Sequence, residues 1–181
     1  SLSGLDTCDT CDTFPKLLLH HARTRPERPA IREKDLGIWQ TWSWRRFADE
    51  VRSLACGLAA QGFKRGDHLA IVGDNRPRVY AAMCAAQCLG GIAVPLYQDA
   101  AAAEMAFPIH NAAIEYAVAE DQEQVDKLLE ILPQCPTLAH IYFDEPRGMR
   151  HYAQPQLMSC DKLIELGRES FRRDPVFLEG E

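Results

Sequence analysis

Acidic and polar residues follow each apolar, strand-like run of this sequence, and they are the first candidates for chemistry. They form four short segments: Gly73-Asp74-Asn75, Leu96-Tyr97-Gln98-Asp99, Glu120-Asp121 and Asp144-Glu145. Ligands of open parallel sheets bind at the carboxyl ends of strands, which is where these segments are expected. However, acidic loops repel phosphate, and the first segment lacks both the GxGxxG and the P-loop spacing. We therefore interpret the segments as helix caps and turns rather than as a nucleotide site.

The histidines do not form a catalytic constellation. His20 and His21 are adjacent, so on a helix their side chains point about 100° apart and cannot form a shared site alone. Three more stand at a strand start, at a helix end and within an apolar strand, as His68, His110 and His140. None lies in a nucleophile signature. We interpret them as structural or solvated side chains.

The cysteines also favour a structural interpretation. There are seven, an odd number without a disulfide framework. The CxxC of Cys8-Asp9-Thr10-Cys11 has no second pair to complete a zinc site, and no strand precedes it. Cys84 and Cys88 share one face of a predicted helix among alanines, as small buried side chains do. Reduced thiols in a cytoplasmic protein fit all seven.

Two other motifs have a functional and a structural interpretation. Arg65-Gly66-Asp67 spells an adhesion tripeptide, but between a helix and a buried strand it predicts a tight turn. Trp39, Trp42 and Trp44 cluster around a predicted hairpin. They could cover a ligand, but we expect them to close the end of the hydrophobic core.

The elements that position these residues alternate between helix and strand. The clearest is a β-α-β unit with a strand at 68–73, a helix at 76–89 begun by Asn75, and a strand at 92–96; both strands are predicted to be central. Helices are predicted at 14–23 after Thr13, from Ser43 to Gly62, at 101–112 with a kink or an interruption at Pro108, after Asp121 and near 160–169. Strands are predicted at 30–33, 40–43, 114–119 and 138–143. This alternation predicts an α/β fold with a parallel sheet, mixed at the edge and flanked by helices.

Composition limits the function classes and the domain plan. The chain has 181 residues, a formal net charge of −6 and 46% hydrophobic residues. The sequence has no basic cluster that would indicate nucleic-acid binding, and no apolar run reaches the roughly 20 residues of a membrane span. The N-terminus lacks a signal-peptide pattern, so we expect a cytoplasmic protein. We expect a flexible tail at 1–12, an α/β subdomain at 13–146 and a linking region at 147–181.

Four motifs of this sequence occur in the order in which a known enzyme family has them. They are a Thr-Trp strand leading into a helix within 29–44, a G-x-x-x-G-D entry to a strand at 62–71, the Gly-Gly strand at 89–96 and the segment 119–127. From about Asp12 to about Phe171, the chain resembles the N-terminal part of the adenylate-forming (AMP-binding) enzymes. The closest resemblance is to bacterial long-chain fatty acyl-CoA synthetases.

The resemblance implies an ATP-dependent acid-thiol ligase. In that family a carboxylate attacks the α-phosphate of ATP with Mg²⁺, and the thiol of coenzyme A then displaces AMP. The Ser/Thr/Gly-rich loop ending in Pro-Lys-Gly that holds the phosphates does not occur in this sequence. We therefore expect an inactive N-terminal fragment of a fatty acyl-CoA ligase, with no catalytic, cofactor-binding or metal residue and no bound cofactor of its own.

Two alternatives stay open at this stage. The parent enzyme could act on another carboxylic acid, such as an aryl acid or an amino acid. The chain could instead be a truncated, non-catalytic α/β module that binds a partner or a small ligand. If it is a fragment, half of a domain interface is exposed, and self-association through that surface is a further expectation.

Overall fold

The computed structural model describes residues 13–35, 37–74 and 76–174. The tail expected at 1–12, the CxxC cysteines, the Asn75 cap and residues 175–181 lie outside this part. Its helices are α1 Phe14–Thr24, α2 Trp44–Ala60, α3 Pro77–Cys88, α4 Ala102–Asn111, α5 Gln122–Glu130 and α6 Cys160–Arg173. Its strands are β1 Pro29–Asp35, β2 Ile38–Ser43, β3 His68–Val72, β4 Ile92–Leu96, β5 Tyr116–Ala119, β6 His140–Phe143 and β7 Leu157–Ser159.

Five strands form one parallel sheet in the order β4-β3-β5-β6-β7. The predicted parallel sheet flanked by helices is therefore confirmed. The antiparallel pairing that we expected at its edge is found instead in a separate two-stranded sheet of β1 and β2. The chain runs from β3 outward to β4 and then returns to β5 on the other side of β3. That reversal makes the β3–β5 junction the topological switch point of the sheet.

Alternating side chains of each strand build two cores on opposite faces of the sheet. Leu69 and Ile71 of β3 pack with α1, α2, α3 and α6 in one core. Ala70 and Val72 of the same strand pack with α4 and α5 in the other. Both faces of the sheet are thus covered, as parallel sheets require.

Local signals in the sequence are confirmed at the ends of several helices. The side chain of Ser43 accepts a hydrogen bond from the backbone N–H of Arg46 at the start of α2. Asp121 caps α5 in the same way. Gly62 follows α2 with a φ of +94°, a conformation that glycine adopts without strain. Pro108 lies inside α4 without ending it, so of the two predicted effects, a kink or an interruption, the interruption does not occur. The proline removes one backbone donor, and buried neighbours on the same helix hold it in place.

β4 lies at the edge of the sheet, so the prediction that both strands of the β-α-β unit are central is right only for β3. The N–H of Ile92 donates to the carbonyl of Asp67 beside β3 at 2.9 Å. The backbone N–H and C=O groups of successive residues in a strand point to opposite sides. The backbone groups of Val94 therefore also face β3, and those of Pro95 face away from the sheet. Pro95 therefore lacks its N–H on the open side, where edge strands tolerate proline.

Residues 147–174, which are part of the linking region expected at 147–181, contribute a strand and a helix to the unit. β7 pairs with β6, and α6 packs along α2 through Gly57 and Gly167. A Cβ atom on Gly167 would collide with the backbone oxygen of Ser53, and one on Gly57 with that of Leu163. The helix predicted near 160–169 is present and longer, and it completes a helix layer. β7 was not predicted because three residues are too short to show a strand period.

Candidate functional site

The carboxyl ends of β3, β5 and β6 meet at one edge of the sheet. The residues that follow these strands are Asp74, Glu120 with Asp121, and Asp144 with Glu145. The sequence placed acidic side chains at this edge, and the structure brings them together. The β3–β5 switch point lies among them, so this edge is where a ligand of the fold would be sought first.

The side chain of Glu120 fills the crevice at the switch point. One carboxylate oxygen lies 2.6 Å from Nε of Arg76, and the other accepts the backbone N–H of Asp74. Only 8% of Glu120 is exposed. A Cβ atom on Gly73 would lie 2.7 Å from the Cβ of Glu120, so the close approach requires glycine there. We call Glu120, Arg76 and Asp74 the Glu120 latch.

The Glu120 latch decides the fit of a nucleotide at this edge. Its carboxylate takes the backbone donor and the guanidinium that a phosphate would use. The neighbouring acidic groups would further repel a polyphosphate. The described residues therefore do not fit ATP at the switch point, and we derive no catalytic step through a nucleotide there.

A second cluster joins three segments around Arg78. Its guanidinium lies 2.9 Å from Glu50 of α2, 3.0 Å from Asp144 after β6 and 3.0 Å from Asp161 of α6. Burial opposes the charged form of Arg78, but the carboxylates of Glu50 and Asp144 outweigh it and raise the pKa above its ordinary value. Burial also raises the pKa of Asp144, against the opposite effect of Arg78. Because its donors are occupied by these carboxylates, Arg78 ties elements together rather than binding a ligand.

An open cleft of about 310 Å³ lies beside Arg78, between the hairpin and the start of α3. Its charged groups are largely matched within the chain. Arg147 pairs with Glu145 at 3.1 Å, and the guanidinium of Arg46 lies 4.2 Å from the ring centre of Trp42. The cleft is lined by Glu33, Gln40, Trp42, Arg46, Arg76, Pro77, Arg78, Asp144, Glu145 and Arg147. Most of these charged groups are therefore already paired within the chain.

Two of the histidines lie against aromatic rings. His140 stacks on Tyr116, with ring centres 4.7 Å apart, and burial lowers the pKa of His140. His21 lies 4.6 Å from the ring of Trp44, and burial together with His20 lowers its pKa. Both arrangements favour the neutral ring.

The described cysteines are free thiols in protected places. Cys84 is buried, and burial together with the nearby Cys88 raises its pKa to about 12. The pKa of Cys88 is raised to about 11. Both thiols are therefore protonated and unreactive near neutral pH. Within residues 13–35, 37–74 and 76–174, no group of three or more His, Cys, Asp or Glu side chains could hold a metal ion.

The remaining motifs agree in part with the structural interpretation. Arg65-Gly66-Asp67 is a tight turn in which Gly66 has a φ of +85° and the Asp67 carboxylate accepts the N–H of Lys64. Trp42 is 5% exposed and joins the core, whereas Trp39 is 66% exposed and does not. The helices of the described residues include none that is long and apolar enough to cross a bilayer.

Comparison with known proteins adds the family context. A family model described as "AMP-binding enzyme" matches residues 18–162. A long-chain-fatty-acid–CoA ligase of Xenopus laevis is 28% identical over 77% of this chain and 19% of its own length. An uncharacterized protein of Mycobacterium tuberculosis is 33% identical over 65% of this chain and 63% of its own length. A 2-succinylbenzoate–CoA ligase of Bacillus pumilus is 32% identical over 54% of this chain and 19% of its length. The chain thus spans less than two thirds of each of these relatives.

Proposed function

The chain belongs to the family of AMP-binding enzymes, and from that premise we propose that it forms the N-terminal scaffold of a fatty acyl-CoA ligase. Such a ligase activates a fatty acid as an acyl-adenylate and transfers it to coenzyme A. The observation that carries the proposal is the family match over residues 18–162 together with a long-chain-fatty-acid–CoA ligase aligned over 77% of the chain.

We assign the described residues a supporting part in that activity. The Glu120 latch closes the switch point of the sheet to phosphate, which supports ATP, Mg²⁺ and coenzyme A being held by other parts of the enzyme. The α/β unit would then present a rigid wall beside the catalytic centre. A cytoplasmic location is part of the proposal and is supported by the free thiols of the described cysteines.

A fatty acid is the proposed substrate rather than another carboxylic acid. The 2-succinylbenzoate–CoA ligase relative aligns over 54% of this chain, against 77% for the fatty acid ligase. The greater coverage favours the fatty acid, while the aryl acid is the competitor that an assay must include.

A non-catalytic binding module is the second candidate function. The Mycobacterium tuberculosis relative matches 65% of this chain and 63% of its own length, so the two sequences are of similar length. The shortness of that relative is the observation behind this candidate, in which an α/β unit of the family binds a partner or a small ligand without the ligase reaction.

An exchange assay on the protein encoded by the whole reading frame separates these candidates. We would measure acid-dependent exchange of pyrophosphate into ATP with palmitate, octanoate, 2-succinylbenzoate, benzoate and alanine. The proposal expects palmitate to give the highest rate, by about tenfold over the aryl acids, which corresponds to about 1.4 kcal/mol. Exchange with 2-succinylbenzoate above palmitate would change the substrate, and absence of exchange with every acid would favour the binding module.

A calorimetric titration tests the scaffold assignment separately. Residues 1–181 with MgATP should show no micromolar binding, because the Glu120 latch occupies the expected phosphate position. Micromolar binding would place a nucleotide site within this chain and contradict the assignment.

A further inference from the structure

A groove between α2 and α6 holds arginines that the rest of the described structure does not neutralise. The groove is open, has a volume of about 220 Å³ and plays no part in the function proposed above. We call it the arginine groove; it is lined by Asp49, Arg52, Ser53, Arg168, Phe171 and Arg172. Three guanidinium groups thus face one carboxylate.

That carboxylate is already matched by one of the arginines. Arg52 forms an ion pair with Asp49 one turn earlier on α2. The same guanidinium lies 5.2 Å from the ring centre of Phe171 on α6, which holds it at the wall of the groove. Asp49 and Arg52 therefore cancel, and the remaining charge belongs to α6.

Arg168 and Arg172 carry this remaining positive charge. They stand four residues apart and so lie on the same side of α6. Neither forms an ion pair or hydrogen bond with the rest of the described chain, and both are exposed. Arg172 belongs to the last turn of the helix, where a cation is favourable, but Arg168 lies outside it. The two neighbouring positive charges repel each other, although the net charge of the whole chain is −6.

The wall that carries these arginines is fixed. Gly57 and Gly167 bring the backbones of α2 and α6 into contact, and any side chain at either position would collide with the facing helix. Ser53 is buried beneath the groove, with its hydroxyl donating to the carbonyl of Asp49 at 2.7 Å. The arginine groove is therefore held in position by packed backbone rather than by a loop, as a binding site requires.

We propose that the arginine groove binds a compact phosphate group, either a free anion or the phosphate of a lipid headgroup. Guanidinium forks pair with phosphate oxygens through two parallel hydrogen bonds, and two of them one turn apart suit a dianion. The volume of about 220 Å³ is below the range of pockets that hold drug-sized ligands, roughly 300–1,000 Å³. Binding relieves the repulsion between Arg168 and Arg172.

Titration of the 181-residue chain with inorganic phosphate and with pyrophosphate tests the proposal. The informative variant is R168Q/R172Q, and the matched control is R173Q, which removes a charge from the same helix end outside the groove. Each charge-assisted pair is strong, so the double variant should weaken binding by about tenfold or more, and R173Q by less than about twofold. Both target side chains are exposed, so the variants should melt like the original chain.

A lipid arm distinguishes the two sources of the phosphate. We would sediment the chain with phosphatidylcholine vesicles that do or do not contain phosphatidic acid. Binding that needs phosphatidic acid and is lost in R168Q/R172Q identifies a headgroup, and saturable binding of the free anions alone identifies a soluble ligand. The proposal is overturned if neither probe binds, if R173Q weakens binding as much as R168Q/R172Q, or if vesicles without phosphatidic acid bind equally well.

Discussion

The side chain of Glu120 connects the end of β5 with the segment between β3 and α3. Its carboxylate joins the loop after β3 to the start of α3 through Asp74 and Arg76. It does so at the edge of the sheet where the fold has its natural ligand position. The side chain therefore stabilises the unit and closes the site at the same time.

Neutralising Glu120 should cost stability. In E120Q the amide oxygen still accepts the N–H of Asp74, but the charge opposite Arg76 is lost. Because the group is 8% exposed, we expect the free energy of unfolding to fall by about 1–3 kcal/mol, measured by urea denaturation. The control is E123Q. Glu123 pairs with Lys127 at 3.1 Å, but its side chain is 72% exposed. That change should stay within about 0.5 kcal/mol, and equal losses in both variants would contradict a special role for Glu120.

His140 should make stability depend on pH. Burial lowers its pKa in the folded chain below 6.5, so the unfolded chain binds more protons in that window. The free energy of unfolding should therefore fall as the pH drops below about 6.5. H140F keeps the stacking on Tyr116 but cannot titrate, so it should lose part of this slope. Urea titrations at several pH values would check this, with the exposed His110→Gln as control; equal slopes for H140F and the original chain would contradict it.

Residue types at the site were predictable, but their partners were not. The sequence placed acids after β3, β5 and β6 because each follows an apolar run. The pairing of Glu120 with the backbone of Asp74 joins residues 46 apart, and that of Arg78 with Asp161 joins residues 83 apart. Such distances in sequence carry no periodic signal, so the Glu120 latch and the Arg78 cluster emerge only from the fold.

At the scale of elements, local signals predicted most of the chain. Ser43, Asp121 and Gly62 mark helix ends through interactions with residues close in sequence, and the structure confirms them. The position of β4 at an edge and the pairing of β7 were missed. Both depend on which strand lies beside which, and alternation of helix and strand does not determine that order.

The contact between α2 and α6 gives a sharp test of the last element. In an isolated helix, alanine at position 167 would be favoured over glycine by about 1 kcal/mol. Here the added Cβ meets the backbone of Ser53, so G167A should instead lower the free energy of unfolding by about 1–3 kcal/mol. Thermal and urea unfolding would measure it.

E169A is the control for that variant. It places alanine on an exposed position of the same helix and should change stability by less than about 0.5 kcal/mol. A gain of stability in G167A would mean that α6 does not pack on α2, and residues 147–174 would then act as the linking region that the sequence suggested.

At the scale of the whole molecule, several large apolar side chains face solvent. They include Trp39 on β2 at 66% exposed and Phe107 on α4 at 74%. The chain matches 19% of the length of the Xenopus laevis relative, so in that relative further protein is available to cover the corresponding surface. The chain by itself therefore presents surface that another copy could cover.

We predict that the 181-residue chain self-associates in a concentration-dependent way. Analytical ultracentrifugation should show species larger than the monomer. One of the two variants, W39S or F107S, should shift the equilibrium toward monomer by about tenfold, namely the one whose side chain lies in the contact. Comparing the two variants locates the surface, and the exposed change E104Q on α4 serves as control. A chain that stays monomeric at high concentration would contradict the prediction.

Pro95 gives the sheet a direction of growth. On the side of β4 the outward-facing backbone offers no hydrogen from residue 95, so a further strand would find an incomplete partner. On the opposite side, β7 is a short strand without proline. Any strands that the rest of a larger enzyme adds to this sheet should therefore join beside β7. The proline thus disfavours extension of the sheet at one of its two edges.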